Sequence, residues 1–133
     1  AIAHRTRGGV FAGTLQVLRA RIVAYEQFAI TTTRHLAKTC HFFHLANLRY
    51  PATLTELGTS TPPYIPPDLM GNGTTVDKQG YRFTYALAGN GFTLNADPQT
   101  PGVTGVRHFY VDEQVAIHAD EAGPADANDP IIP

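Results

Sequence analysis

Apolar and polar positions divide the chain into two halves with different periods. From Val10 to about Ala46 there is no proline, and the sole glycine is Gly13. Apolar or semi-apolar residues recur at Phe11, Leu15, Leu18, Ile22, Tyr25, Ala29, Leu36, Cys40 and Phe43, mostly in alternating steps of four and three. That spacing draws one stripe along an amphipathic helix. Thr32 stands in the gap of the stripe, and Thr31–Thr33 is a weak stretch because β-branched residues lose rotamer freedom in a helix. The pattern predicts a long helix over residues 14–46, with 1–13 irregular or an extension of it. Counted from Val10, such a helix is roughly 55 Å long at about 1.5 Å per residue. A compact domain of this length has a radius of gyration of only about 14 Å. The helix must outrun the rest of the chain, which leaves Phe11, Leu15, Leu18 and Ile22 without cover in their own subunit.

At Tyr50-Pro51 the helical pattern stops, since a residue before proline is pushed out of the helical region. PATLTEL (51–57) allows one short helical turn closed by Gly58, and residues 47–79 as a whole read as a proline- and glycine-rich loop region. Beyond it the period changes to two. GYRFTYAL (80–87) places Tyr81, Phe83, Tyr85 and Leu87 on one face; GFTLNA (91–96) does the same with Phe92, Leu94 and Ala96. VRHFYV (106–111) and VAIHA (115–119) complete four strands joined in two hairpins. The expected fold is α+β: one domain, 1–133, with a long N-terminal α-helix packed on a four-stranded antiparallel β-sheet. Tyr81, Phe83, Phe92, Leu94 and Phe109 should form its core against Leu36, Cys40 and Phe43. Residues 120–133 are acidic and contain Pro124, Pro130 and Pro133, so no regular structure is expected there.

Composition sharpens this picture in two places. Charged residues make up 16% of the 133, well under the usual share of about 25%, and the net charge of −1 conceals a split. Arg5, Arg7, Arg19, Arg21, Arg34, Lys38 and Arg49 face a single acid, Glu26, before residue 56; after it, acids dominate. A basic front and an acidic back suit copies that attract each other head to tail. No apolar run is long enough to cross a bilayer, and the opening residues AIAHRTRGG have no signal-peptide pattern.

The chemistry on offer is sparse. Cys40 is the only cysteine, which excludes an internal disulfide. Cys40, His41 and His44 share a helix turn, but no second ligand pair at metal-site spacing joins them, so no metal is assigned. Adjacent Cys40 and His41 point about 100° apart and make a poor nucleophile–base pair. Ser60 is the only serine and sits among prolines. Asp112-Glu113 and Asp120-Glu121 offer oxygen ligands to calcium, yet a hairpin turn and a solvated tail account for them. The glycine pairs obey turn logic rather than phosphate-loop logic, and no aromatic platform accompanies the arginines, so nucleic acid is not expected as a partner. Neither catalysis nor a cofactor is expected. Asn72-Gly73-Thr74 is a formal N-glycosylation sequon, making Asn72 a possible glycosylation site.

Two segments resemble a known family. LRARIVAYEQFAITTTRHL (18–36), followed by RYPATLTELG (49–58), resembles the part of a type IV pilin or type II secretion pseudopilin helix that emerges from its membrane-inserted half. GYRFTYALAGNGFTLNADPQTPGVTGVRHFYVDEQVAIHAD (80–120) is similar to the sheet of small bacterial pilin-like proteins. The resemblance covers about residues 14–119. It departs at AIAHRTRGGVFAG (1–13), which lacks the apolar helix with glutamate at its fifth position that mature pilins carry; Glu26 does not occupy that place. What the resemblance implies is a structural, non-enzymatic subunit of an extracytoplasmic filament, a pilus or pseudopilus. Its partners would be copies of itself or other pilin-like subunits, anchored in the inner membrane before assembly through a segment upstream of Ala1. The alternative is a pilin-fold module that docks on a membrane or cell-surface complex. In either case the expected contact surface is Phe11, Leu15, Leu18, Arg19, Arg21 and Ile22.

Overall fold

The computed structural model describes the backbone of residues 2–133 and the side chains from Gln16 onward. Helix α1 spans Ile2–Asn47, 46 residues, so it begins before residue 14 and runs unbroken through the threonines. At about 1.5 Å per residue it is roughly 69 Å long. Its terminus is made by Leu48, which takes a left-handed conformation (φ 60°) and donates its N–H to the carbonyl of His44 (2.8 Å). Helices commonly stop this way, although glycine is the usual residue at such a position.

After α1 comes α2, Leu54–Thr59, which continues one residue past Gly58. Thr53 caps it by accepting from the Glu56 N–H, while Glu56 reaches back to accept from the Ala52 N–H (2.9 Å). This reciprocal arrangement is close to a capping box. A 3₁₀ turn at Pro67–Leu69 leads into the sheet.

The sheet holds five strands, not four: β1 (Thr75–Lys78), β2 (Tyr81–Ala88), β3 (Gly91–Pro98), β4 (His108–Asp112) and β5 (His118–Asp120). They pair antiparallel in chain order, β1-β2-β3-β4-β5. The strand absent from the sequence reading is β1, which lies inside the segment read as loop. Four residues with one buried apolar side chain, Val76, give no alternation to detect. The tight turn at Gln79 (φ 51°) and Gly80 (φ 82°) nevertheless folds Thr75–Lys78 back onto β2. Paired Asp77 and Arg82 make an ion pair at 2.7 Å across that hairpin.

One sheet face packs on the second half of α1. Tyr81, Phe83, Tyr85, Phe92, Leu94, Ala96, Phe109 and Val111 are all buried there. From the helix come Ala29, Ile30, Leu36, Ala37, Cys40 and Phe43, so every residue expected in the core is in it. The stripe needs one correction. Thr33, not Thr32, fills its gap, because the buried face runs through Ala29, Thr33, Leu36 and Ala37 at i, i+4, i+7 and i+8. The Thr33 hydroxyl has no partner among the described residues. Tyr85 spans the core and donates its hydroxyl to the carbonyl of Pro51 (2.5 Å).

Residues 121–133 hold no helix or strand but are tied to the sheet. The Ile132 N–H donates to the Ile117 carbonyl (2.8 Å), and Asn95 Nδ2 donates to the carbonyl of buried Ala125 (2.9 Å). Backbone and side-chain hydrogen bonds, with buried Ala125 and the core-packed Ile132, thus order an acidic tail.

Phe92 is nearly solvent-free, so Phe92→Ala should lower unfolding stability by about 3–5 kcal/mol in a denaturant titration, with Phe83→Ala in the same range. Burial pushes the Cys40 thiol up to about 12, ahead of any effect of the Tyr85 hydroxyl beside it. Thiol reagents should therefore label Cys40 slowly in the native protein and rapidly in denaturant.

Candidate functional site

The described part of α1 changes character at Glu26. On its C-terminal side the helix faces the sheet; on its N-terminal side, from Gln16 to Ala24, every side chain is exposed except half-buried Ile22. Leu18 (48% exposed) and Ile22 lie on the same helix line as Ala29, Leu36, Cys40 and Phe43, so the core-facing stripe continues where no sheet remains to cover it. Arg19 and Arg21 flank this stripe, both exposed, and neither pairs with a carboxylate among the described residues. The Phe11 and Leu15 side chains fall outside the described residues. Of the residues expected at a contact surface, Leu18, Arg19 and Arg21 are thus exposed and Ile22 is half-buried, all within little more than one helix turn.

Glu26 sets the boundary. It is 6% exposed and is the only acid on α1. Its Oε2 accepts from the N–H groups of Val106 (2.9 Å) and Arg107 (3.1 Å), while its Oε1 accepts from Arg107 Nε (2.7 Å). The same arginine lies over the Phe109 ring at 5.2 Å, and its carbonyl accepts from the Tyr81 hydroxyl (2.6 Å). One carboxylate therefore staples the helix to the segment joining β3 and β4. Burial pushes the Glu26 carboxyl up, but the Val106 N–H, the Arg107 guanidinium and the Arg107 N–H together outweigh it, so its pKa lies below the ordinary value.

The clamp also explains where β4 starts. The alternation predicts a strand from residue 106, yet β4 opens at His108, because the N–H groups of Val106 and Arg107 are spent on Glu26. A related shift delays β5. Asp112 accepts from the N–H groups of Gln114 and Val115 in a tight turn, with Val115 at φ 62°, and the strand begins only at His118.

Two further surfaces carry exposed apolar side chains. A groove of about 330 Å³ beside the clamp is lined by Arg21, Ala24, Tyr25 and Phe28. At the opposite end of α1, a second cleft of about 330 Å³ is lined by His44, Leu48, Arg49, Tyr50, Leu87, Gly89 and Asn90. No sequence signal singled out either one. Leu87 keeps phase with Tyr81, Phe83 and Tyr85, yet it is exposed, near the end of α1 and beyond the stretch of β2 that β1 pairs with, which stops at Thr84.

Among the described residues no three His, Cys, Asp or Glu side chains converge as metal ligands. His108 Nδ1 lies 2.6 Å from Asp97 Oδ1 on the outer sheet face. Asn72 is exposed, and its Oδ1 accepts from the N–H groups of Thr74 (2.9 Å) and Thr75 (2.7 Å), which closes the turn before β1. No described helix is long and apolar enough to cross a membrane. Compared with protein-family models, curated proteins and solved structures, the chain matches none.

Replacing Glu26 by Gln removes a buried charge that organises three hydrogen bonds and should lower stability by about 2 kcal/mol. The pH dependence has a definite sign. A carboxyl with a lowered folded-state pKa contributes fully above its ordinary value of 4.5 and loses that contribution as pH falls through the folded value. Urea midpoints measured from pH 6 down to pH 3 should fall less steeply for Glu26→Gln than for the unsubstituted chain.

Proposed function

We propose that this protein is a structural, non-enzymatic subunit that assembles through the exposed face of its N-terminal helix, as in an extracytoplasmic type IV pilus or type II secretion pseudopilus. The observation that carries the reading is the continuation of the core stripe past the sheet, at Leu18 and Ile22, immediately beyond the Glu26–Arg107 clamp. A helix held rigidly at its base and apolar along one exposed line is a contact element, because unpaired apolar stripes usually mark association surfaces. The resemblance of residues 18–36, 49–58 and 80–120 to pilin segments supplies the filament context, with partners that are copies of this chain or other pilin-like subunits.

Charge supplies direction. α1 carries Arg19, Arg21, Arg34 and Lys38 and only one acid, which the clamp has already neutralised, whereas Asp112 and Glu113 lie at the β4–β5 turn, and Asp120, across from His108, lies with Glu121 at the other end of that strand pair. Basic helix against acidic loops favours one relative orientation of neighbours and makes assembly sensitive to ionic strength.

Self-association measured by sedimentation velocity checks the reading. Leu18→Asp or Ile22→Asp should abolish it, while Arg19→Glu combined with Arg21→Glu should weaken it most at low salt. Assembly that survives both sets of substitutions would shift the role of the helix to docking on a different membrane or cell-surface complex.

A further inference from the structure

The helix and the sheet overhang each other at opposite ends. At one end α1 outruns the sheet and leaves Leu18 exposed and Ile22 half-covered. At the other end β2 outruns α1, and Leu87, on the core-facing side of the strand, is 48% exposed. Leu48 stands at the same edge, 86% exposed, in the left-handed conformation that turns the chain away from the helix axis. Between them lies the cleft lined by His44, Tyr50, Gly89 and Asn90, with the stacked rings of His44 and Tyr50 (centroids 4.4 Å apart) as part of its wall.

We propose that this cleft receives the protruding helix of a second copy, so that the overhang of one subunit's helix completes the uncovered end of the next subunit's helix–sheet sandwich. The occupant is the segment around Leu18–Ile22. Both surfaces are extensions of a single core stripe and a single core-facing strand, so each presents the kind of side chain that the other's interior already packs against. Electrostatics select the same pairing. Arg19 and Arg21 border the helical stripe. Next to the cleft, the carboxylate of exposed Glu113 lies against Gly91 and close enough to Tyr50 to raise its hydroxyl pKa, although burial is the larger cause. Glu113 makes no ion pair among the described residues, whereas Arg49 at the same edge is already held by Glu56 (2.7 Å). The net free charge at the cleft rim is thus opposite to that of the helix.

A contact between two different patches is heterologous, and its repetition builds an open, polar array rather than a closed dimer. The proposal rests on helix-mediated self-assembly and adds the acceptor site for the helix.

Disulfide trapping between two singly substituted chains tests it. Leu18→Cys and a mass-tagged Leu87→Cys are mixed and oxidised gently; buried Cys40 stays silent in the folded protein. The expected product is a cross-linked pair containing one chain of each kind, formed faster than either variant forms pairs with itself. Leu87→Asp, at an exposed position, should weaken self-association about tenfold while leaving the unfolding midpoint unchanged. If Leu18→Cys links mainly to itself and Leu87→Asp associates normally, the helices pair side by side: assembly stands and the cleft proposal falls. A chain that sediments as a monomer and forms no cross-links overturns both.

Discussion

A helix of 46 residues and a sheet of five short strands cannot bury each other completely, and this mismatch of lengths governs the whole molecule. Strands lie about 4.8 Å apart, so five of them span only about 20–25 Å, roughly a third of the helix. Whatever angle the helix takes, part of its apolar line must leave the sheet. The fold therefore places that departure at one position and reinforces it there. Glu26 is the reinforcing group, a carboxylate taken out of water and satisfied by two backbone N–H groups and a guanidinium. Unpaired, a charge buried that deeply would cost several kcal/mol; with all three donors in place, it locks the β3–β4 connection to the helix.

The consequences of this staple spread along the chain. Val106 and Arg107 are withdrawn from β4, Arg107 is laid over Phe109, and the Tyr81 hydroxyl is satisfied by the Arg107 carbonyl. Polar and apolar terms therefore meet in one place: the ring face of Phe109 belongs to the core, while the guanidinium above it reaches out to the helix. The base of the exposed helix is held by the same contacts that finish the sheet. The association proposed for this helix would gain from such anchoring, because an element already fixed in its bound orientation loses less entropy on association.

At the other end the corresponding contact is solvent-exposed: Arg49 lies over the Phe43 ring and pairs with Glu56 of α2, with no buried charge involved. The helix stops in a left-handed leucine rather than a glycine, and the strand beneath continues past it to a turn at Ala88–Gly91. Glycine at position 48 would terminate the helix with less backbone strain. A leucine there instead puts a large apolar side chain into solvent beside Leu87. Exposed apolar side chains gathered at the rim of a cleft are the features that distinguish contact surfaces from ordinary solvated ones.

The sequence by itself determined the elements that depend on local periodicity. The 3.6-residue stripe specified α1 and its core face, the period of two specified β2 and β3, and the proline after Tyr50 marked the end of the helix within a few residues. The core aromatics followed from these periods, because a residue on the apolar face of a regular element has one place to go. Leu18 was legible as uncovered for the same reason, whereas Ile22 is half-buried. Only the tertiary structure decided what rests on pairing between distant segments. β1 carries a single apolar residue and exists because a turn at Gln79-Gly80 delivers it to β2. The true ends of β4 and β5 depend on which acceptor captures each backbone N–H, and Glu26, 80 residues away in the chain, takes two of them. The acidic tail is ordered by hydrogen bonds to β5, its flank and Asn95, and by Ala125 and Ile132 packing inward, a pairing of distant segments that composition does not reveal. Leu87 was read correctly as in phase with the core face of β2, yet its exposure depends on where α1 and β1 end beside it, a relation between elements that the periodicity of no one of them contains.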